Sequence, residues 1–154
     1  MDKEHYTIGE VSEMFDLPIS TLRYYDRQGL ILHLEKSGGQ RRFSKQNIES
    51  LRVIECLKAS GLEISEIRKF MQMCEKGNES LQERKDLFEK RRETVLQQIE
   101  QLQNQLDMID YKCWYYQTAV KINDEKEVQS MIPDRLPEQI RKKYDACHQQ
   151  DKNV

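Results

Sequence analysis

The stretch "TLRYYDRQGLI", Thr21 to Ile31, places Arg23, Tyr24, Tyr25 and Arg27 in one short segment. Guanidinium groups bond phosphates or the edge of a guanine. A tyrosine hydroxyl donates to a phosphate while its ring packs on the sugar. Arg41, Arg42 and Lys58 offer three more cations downstream. Cys56 carries a different chemistry. Its thiolate would add to an electrophile, and nearby Arg52 and Lys58 would favour ionisation, whereas Glu55 opposes it. Arg52 lies four residues before Cys56 and shares its helix face. A free cysteine is also a common small apolar packing residue, so both readings of Cys56 stand.

Little else invites catalysis or metal binding. Cys74, Cys113 and Cys147 form no C-x-x-C pair with each other or with Cys56, and the spacings give no disulfide framework. His5, His33 and His148 show no ligand spacing. No Cys–His–acid constellation or nucleotide loop is present. The sequence therefore predicts neither an enzyme nor a cofactor.

Charge is unevenly distributed. From Ser20 to Ser60 there are eight basic residues against four acidic ones, within a chain of net charge −2. A local basic excess on a helix and a hairpin is the footprint of a duplex-binding face. Charged residues make up 34% and apolar ones 37%, which suits a small globular head joined to a long, polar-surfaced helix. The opening "MDKEHYT" has no apolar core of a signal peptide. The apolar runs are too short to span a bilayer. These features predict a cytoplasmic protein with reduced thiols.

The elements that would position these residues follow from caps and breakers. Thr7 and Glu10 form a capping box that opens a first helix, with Ile8, Val11 and Phe15 on one face. "DLP" ends it. Ser20 is the expected N-cap of a second helix, which Gly29 stops. Two short helices across a tight turn predict a helix-turn-helix. Within the second helix, take Leu22 as the core marker. Tyr25 then lies at about 300°, on its side, whereas Arg23, Arg27 and Tyr24 lie at about 100°, 140° and 200°. Tyr25 should pack against the head, and the other three should project outward. Leu30–Leu34 and Arg41–Phe43 flank Gly38-Gly39 and read as a β-hairpin. Ser44 caps a third helix, ended by Gly61, and Ser65 starts a fourth.

From Asn78 to Ile132 there is no glycine or proline. Leu81, Phe88, Val95, Leu102, Ile109 and Tyr116 recur at heptad spacing, with Ile99, Leu106, Cys113 and Val120 as the second row. Lys85 and Arg92 weaken that second row toward its start. This pattern predicts a coiled coil about 60 Å long. One apolar stripe of that length cannot be covered by a small head, and each exposed CH₂ costs about 0.8 kcal/mol. A second copy of the chain is the expected cover. The expected dimerisation set is Phe88, Val95, Ile99, Leu102, Leu106, Ile109, Cys113 and Tyr116. After Pro133 and Pro137, Ile140 and Tyr144 mark a short amphipathic helix. The chain divides into a head (1–76), a dimerisation helix (77–123) and a tail (124–154).

"YTIGEVSEMFDLPISTLRYYDRQGLI", "GQRRFSKQNIESLRVIECLKASGLEISEI" and the heptad helix resemble the MerR family of bacterial transcription regulators over about residues 5–122. The resemblance implies a mainly α fold, with a winged helix-turn-helix head and an antiparallel coiled-coil dimer. It implies double-stranded promoter DNA as partner, with RNA polymerase on the same promoter. An effector would make the protein distort a long-spacer promoter, a form of indirect readout. The expected DNA-contacting set is Thr21, Arg23, Tyr24, Tyr25, Arg27, Arg41, Arg42 and Lys58.

Metal-sensing members carry a Cys or Ser near the start of the dimer helix, where Ser80 stands, and two cysteines past its end, where "KINDEKEVQSMIPDR" has none. About 30 residues follow the helix, too few for a large ligand domain. "RVIECLKASGLEI" is similar to the subgroup that senses reactive aldehydes or nitrosative stress through one cysteine, which Cys56 matches. The competing readings are a coiled-coil adaptor whose head binds protein, and a regulator of this type that senses a metal or small ligand.

Overall fold

In the computed structural model, which describes residues 4–148, the chain forms two compact units divided between Arg91 and Arg92. The first contains a three-stranded antiparallel sheet and a set of short helices. Strand β1 (His5–Thr7) leads directly into α1 (Ile8–Phe15) and α2 (Ile19–Arg27). Strands β2 (Glu35–Ser37) and β3 (Gln40–Ser44) form the hairpin, followed by α3 (Lys45–Ala59) and α4 (Ile64–Glu75). A 3-10 turn (Gly77–Ser80) precedes α5 (Leu81–Ile122). The sheet order is β1-β3-β2, with Tyr6 opposite Phe43 and Lys36 opposite Arg41.

Local signals account for most boundaries. Thr7 caps α1 with the reciprocal Glu10 bond, and Ser44 caps α3 with Asn47 in the same role. Helix α2 ends at Gly29, whose φ is 72°. The Gly29 N–H donates to the Asp26 carbonyl and the Leu30 N–H to the Tyr25 carbonyl, the two bonds of a Schellman motif. Other boundaries differ from the sequence expectation. Helix α2 begins at Ile19 after Pro18, not after a Ser20 cap: the fixed φ of Pro18 presets the first turn, and its carbonyl accepts from Thr21 and Leu22. Helix α4 begins after Glu63, whose N–H donates to the Glu66 carboxylate, so Ser65 lies inside the helix.

The hairpin is also displaced. Leu30–Leu34 is a turn segment, and the outer strand is Glu35–Ser37. Leu30 and Ile31 are buried in the head core, which needs their side chains but not an extended backbone. His33, at φ 56°, breaks the extended run. Strand β1 was too short to show alternation in the sequence, yet it covers the inner edge of β3.

The head core is one cluster. It joins Val11, Leu22 and Tyr25 of the helix pair to Phe43 of the wing, Leu51 and Ile54 of α3, and Ile67 and Phe70 of α4. Phe70 meets Phe88 edge-on at 5.4 Å. In the second unit, α6 (Glu125–Ser130) and α7 (Glu138–His148) pack on α5. Tyr144 meets Tyr111 edge-on at 5.2 Å, Lys143 pairs with Asp107 and Asp110, and the Tyr115 hydroxyl donates to Glu125. Ile140 and Tyr144 do lie in a short helix, whereas α6, which Asp124 caps, was not expected from the sequence. No helix among the described residues is long and apolar enough to cross a membrane.

The Gly29 position gives a direct test of the α2 stop. An added Cβ would meet only Arg68 Nε, at 3.9 Å, so crowding is not the issue. Gly29→Ala is expected to lower stability by about 1–2 kcal/mol through the left-handed backbone alone. Urea unfolding monitored by circular dichroism measures this, and an unchanged midpoint would refute it.

Candidate nucleic-acid interface

The helix pair is set by its turn. Asp16 adopts a left-handed conformation (φ 51°), the Leu17 N–H donates to the Ser12 carbonyl, and the Ser12 hydroxyl donates to the Leu17 carbonyl. Helix α2 then presents two faces. Leu22 and Tyr25 are 0% and 1% exposed, on the side the helical angles assign to the core. Arg23 and Arg27 are exposed, and Tyr24 is 40% exposed. Thr21 is half-buried, with its backbone N–H bonded to Pro18.

Three side-chain attachments hold α2 in place. The Tyr25 hydroxyl donates to Glu55 Oε1 at 2.7 Å and accepts from Lys58 Nζ at 3.0 Å, which ties α2 to α3. Arg68 of α4 donates through Nε to the Gln28 carbonyl and through Nη2 to the Gln28 side-chain oxygen. On the wing side, Arg41 donates to Asp26 Oδ2 through Nε at 2.8 Å and Nη2 at 2.7 Å, and Lys36 reaches the same oxygen at 3.3 Å. Asp26, Glu55, Gln28 and Arg68 were not among the residues expected from sequence. Their partners lie 10 to 40 residues away, beyond any local pattern. The one available signal was an acid, Asp26, set between Arg23 and Arg27 in a basic segment.

The expected contact residues thus fall into two groups. Arg23, Tyr24, Arg27 and Arg42 stand at the surface, and among the described residues no carboxylate pairs with any of the three arginines. A cleft of about 250 Å³ lined by Thr7, Ile8, Arg23, Gly39, Gln40 and Arg41 brings α2 and the wing tip together. Tyr25 is buried and Arg41 half-buried, each bonded to a group of the protein, and Lys58 is exposed with its Nζ on the Tyr25 hydroxyl. Tyr25 is too buried to touch a duplex in this conformation.

Cys56 is exposed on α3. The cations expected beside it have other partners: Arg52 pairs with Glu49 at 3.4 Å and Lys58 bonds Tyr25. Ser80 is fully buried and its hydroxyl bonds the Met73 and Gly77 carbonyls. No three His, Cys, Asp or Glu side chains among the described residues gather as a metal site.

A helix pair whose second member projects unpaired arginines beside a basic β-hairpin defines a winged helix-turn-helix DNA-binding module. Comparison with known proteins narrows the class. Residues 6–74 match the MerR HTH family regulatory protein domain and residues 48–111 the MerR DNA-binding domain. An uncharacterised HTH-type transcriptional regulator of Haemophilus influenzae is 32% identical over 124 residues, covering 80% of this chain and 92% of that protein. HiNmlR, a MerR family regulator lacking the sensor domain and solved bound to promoter DNA, aligns with a TM-score of 0.58. That match is 31% identical and covers 80% of this chain and 98% of the other. A MerR family regulator from Bacillus thuringiensis aligns with a TM-score of 0.56 and 35% identity, over 71% of this chain and 96% of its own. The chain belongs to the MerR family and is a DNA-binding transcription regulator.

The Tyr25 attachment is pH-sensitive. Burial raises its pKa above the ordinary 10.0; the Lys58 bond lowers it and the Glu55 bond raises it again. Because the folded value is the higher one, the contribution is present in full below pH 10 and is lost as pH rises through the raised value. Tyr25→Phe is expected to cost about 1 kcal/mol at neutral pH. The gap from wild type should narrow above pH 10 in a series of urea titrations. A pH-independent gap would contradict the role of the protonated hydroxyl.

Proposed function

We propose that the protein is a homodimeric, cytoplasmic regulator that binds promoter DNA through Arg23, Tyr24 and Arg27 of α2 and Arg42 of the wing. Thr21 contributes at the start of the same face. Tyr25, Arg41 and Lys58 set the positions of those contacts. The observation that carries this reading is the outward, unpaired face of α2 beside the wing, in a chain otherwise rich in acid. The promoter-DNA complex of HiNmlR supports the choice of partner.

Dimerisation is assigned to α5 as an antiparallel coiled coil, with head (1–76), dimerisation helix (77–123) and tail (124–154) as working parts. Its heptad rows are largely unpartnered in the single chain: Leu102 is 63% and Val120 79% exposed, Ile99, Leu106, Ile109, Cys113 and Tyr116 are exposed as well, and Phe88 is exposed apart from its contact with Phe70. Val95 is half-buried. So many apolar side chains in one stripe need a partner surface. The dimer would span two half-sites of a long-spacer promoter and distort it so that RNA polymerase engages both promoter elements. The effector is assigned as an electrophile that adds to Cys56. Its exposure in the single chain supports reaction with a small molecule.

Three measurements test this reading. Duplex binding should fall steeply with salt. Arg23→Ala should cost at least about 1 kcal/mol, with loss of preference at one base pair if it reads guanine and a salt slope lower by about 0.9 if it bonds phosphate. Binding insensitive to both would sink the interface. Sedimentation should give twice 18.5 kDa, and Leu102→Lys should yield monomers; a monomeric wild type at micromolar concentration would refute the dimer. Transcription from the bound promoter should respond to an α,β-unsaturated aldehyde in the wild type and not in Cys56→Ser. An equal response in both would remove Cys56 as the sensor.

A further inference from the structure

We propose that Asp26 is a specificity-determining residue, an internal counter-anion that withholds Lys36 and Arg41 from the phosphates of non-specific DNA. The proposal rests on α2 and the wing being the duplex-binding face. Asp26 sits on α2 in the centre of the basic segment, where an acid would repel a phosphate backbone. Its Oδ2 receives Arg41 Nε at 2.8 Å, Arg41 Nη2 at 2.7 Å and Lys36 Nζ at 3.3 Å. Three cationic N–H donors on one anionic oxygen is the arrangement a phosphate oxygen would take. The Asp26 and Arg41 side chains are only 15% and 19% exposed, which screens the pair weakly. Lys36 and Arg41 face each other across β2 and β3, so one carboxylate ties both strands of the wing to α2.

This arrangement has an electrostatic consequence. Non-specific affinity grows with the number of cations that displace counterions from the duplex, whereas base contacts depend on the outward face of α2. Offsetting one of the two positive charges of Lys36 and Arg41 internally lowers the first without touching Arg23, Tyr24 or Arg27. Discrimination between operator and bulk DNA rises accordingly.

The test is the salt dependence of binding to a short random-sequence duplex and to a site selected from a random pool. Asp26→Asn keeps the shape and removes the charge. It is expected to bind the random duplex more tightly, with the salt slope steeper by about 0.9 for the one unit of charge that the carboxylate offset, and to show a smaller ratio of selected-site to random affinity. Adding Lys36→Gln to that variant restores the local net charge and should return the slope to the wild-type value. An unchanged slope in folded Asp26→Asn, or a slope that stays steep when Lys36→Gln is added to it, overturns the proposal. Failure of the wild type to bind either duplex would instead overturn the interface on which it rests.

Discussion

The head depends on how α2 is held. At nine residues the helix is too short to be stable in water by itself. Its order comes from burial of Leu22 and Tyr25, and from attachments to three neighbours: α3 through Tyr25, α4 through Gln28 and the wing through Asp26. Each attachment uses a side chain on the inner face or the flank. The outer face is therefore free of structural duty, and Arg23, Tyr24 and Arg27 are displayed from a fixed backbone. A DNA contact made from such a platform loses little entropy on binding, since the helix is ordered beforehand.

The same design separates two uses of positive charge. A chain of net −2 cannot rely on overall attraction to a polyanion, so the field must be local. Arg23, Arg27 and Arg42 supply it at the surface. Arg41, Lys58 and Arg68 are basic too, but each bonds a group of the protein and fixes geometry. Counting basic residues in a segment locates the face, and only the partners of each cation show which ones are available to a ligand.

Features written into neighbouring residues were readable before the fold was known. The Thr7–Glu10 capping box, the Ser44 cap, the Gly29 stop, the two faces of α2 and the extent of α5 all depend on contacts within a turn or two of helix. What was not readable depends on distant partners. The outer wing strand lies at Glu35–Ser37, because Leu30 and Ile31 are drawn into the core as a turn, and β1 exists only because β3 pairs with it. Pro18 and Glu63 took over helix starts assigned to Ser20 and Ser65. The candidate site divides in the same way. Its outward residues follow from angles, whereas the engagement of Arg41 by Asp26 and of Lys58 by Tyr25 needed the tertiary structure.

The claim that the outward face of α2 and the wing grip a duplex together is tested most directly by a crystal structure of the protein with a duplex from its own promoter. The account predicts α2 in the major groove, with Arg23, Tyr24 and Arg27 within hydrogen-bond distance of bases or phosphates and Arg42 on the flanking backbone. A duplex seated on another surface, with these four side chains still in water, would contradict it.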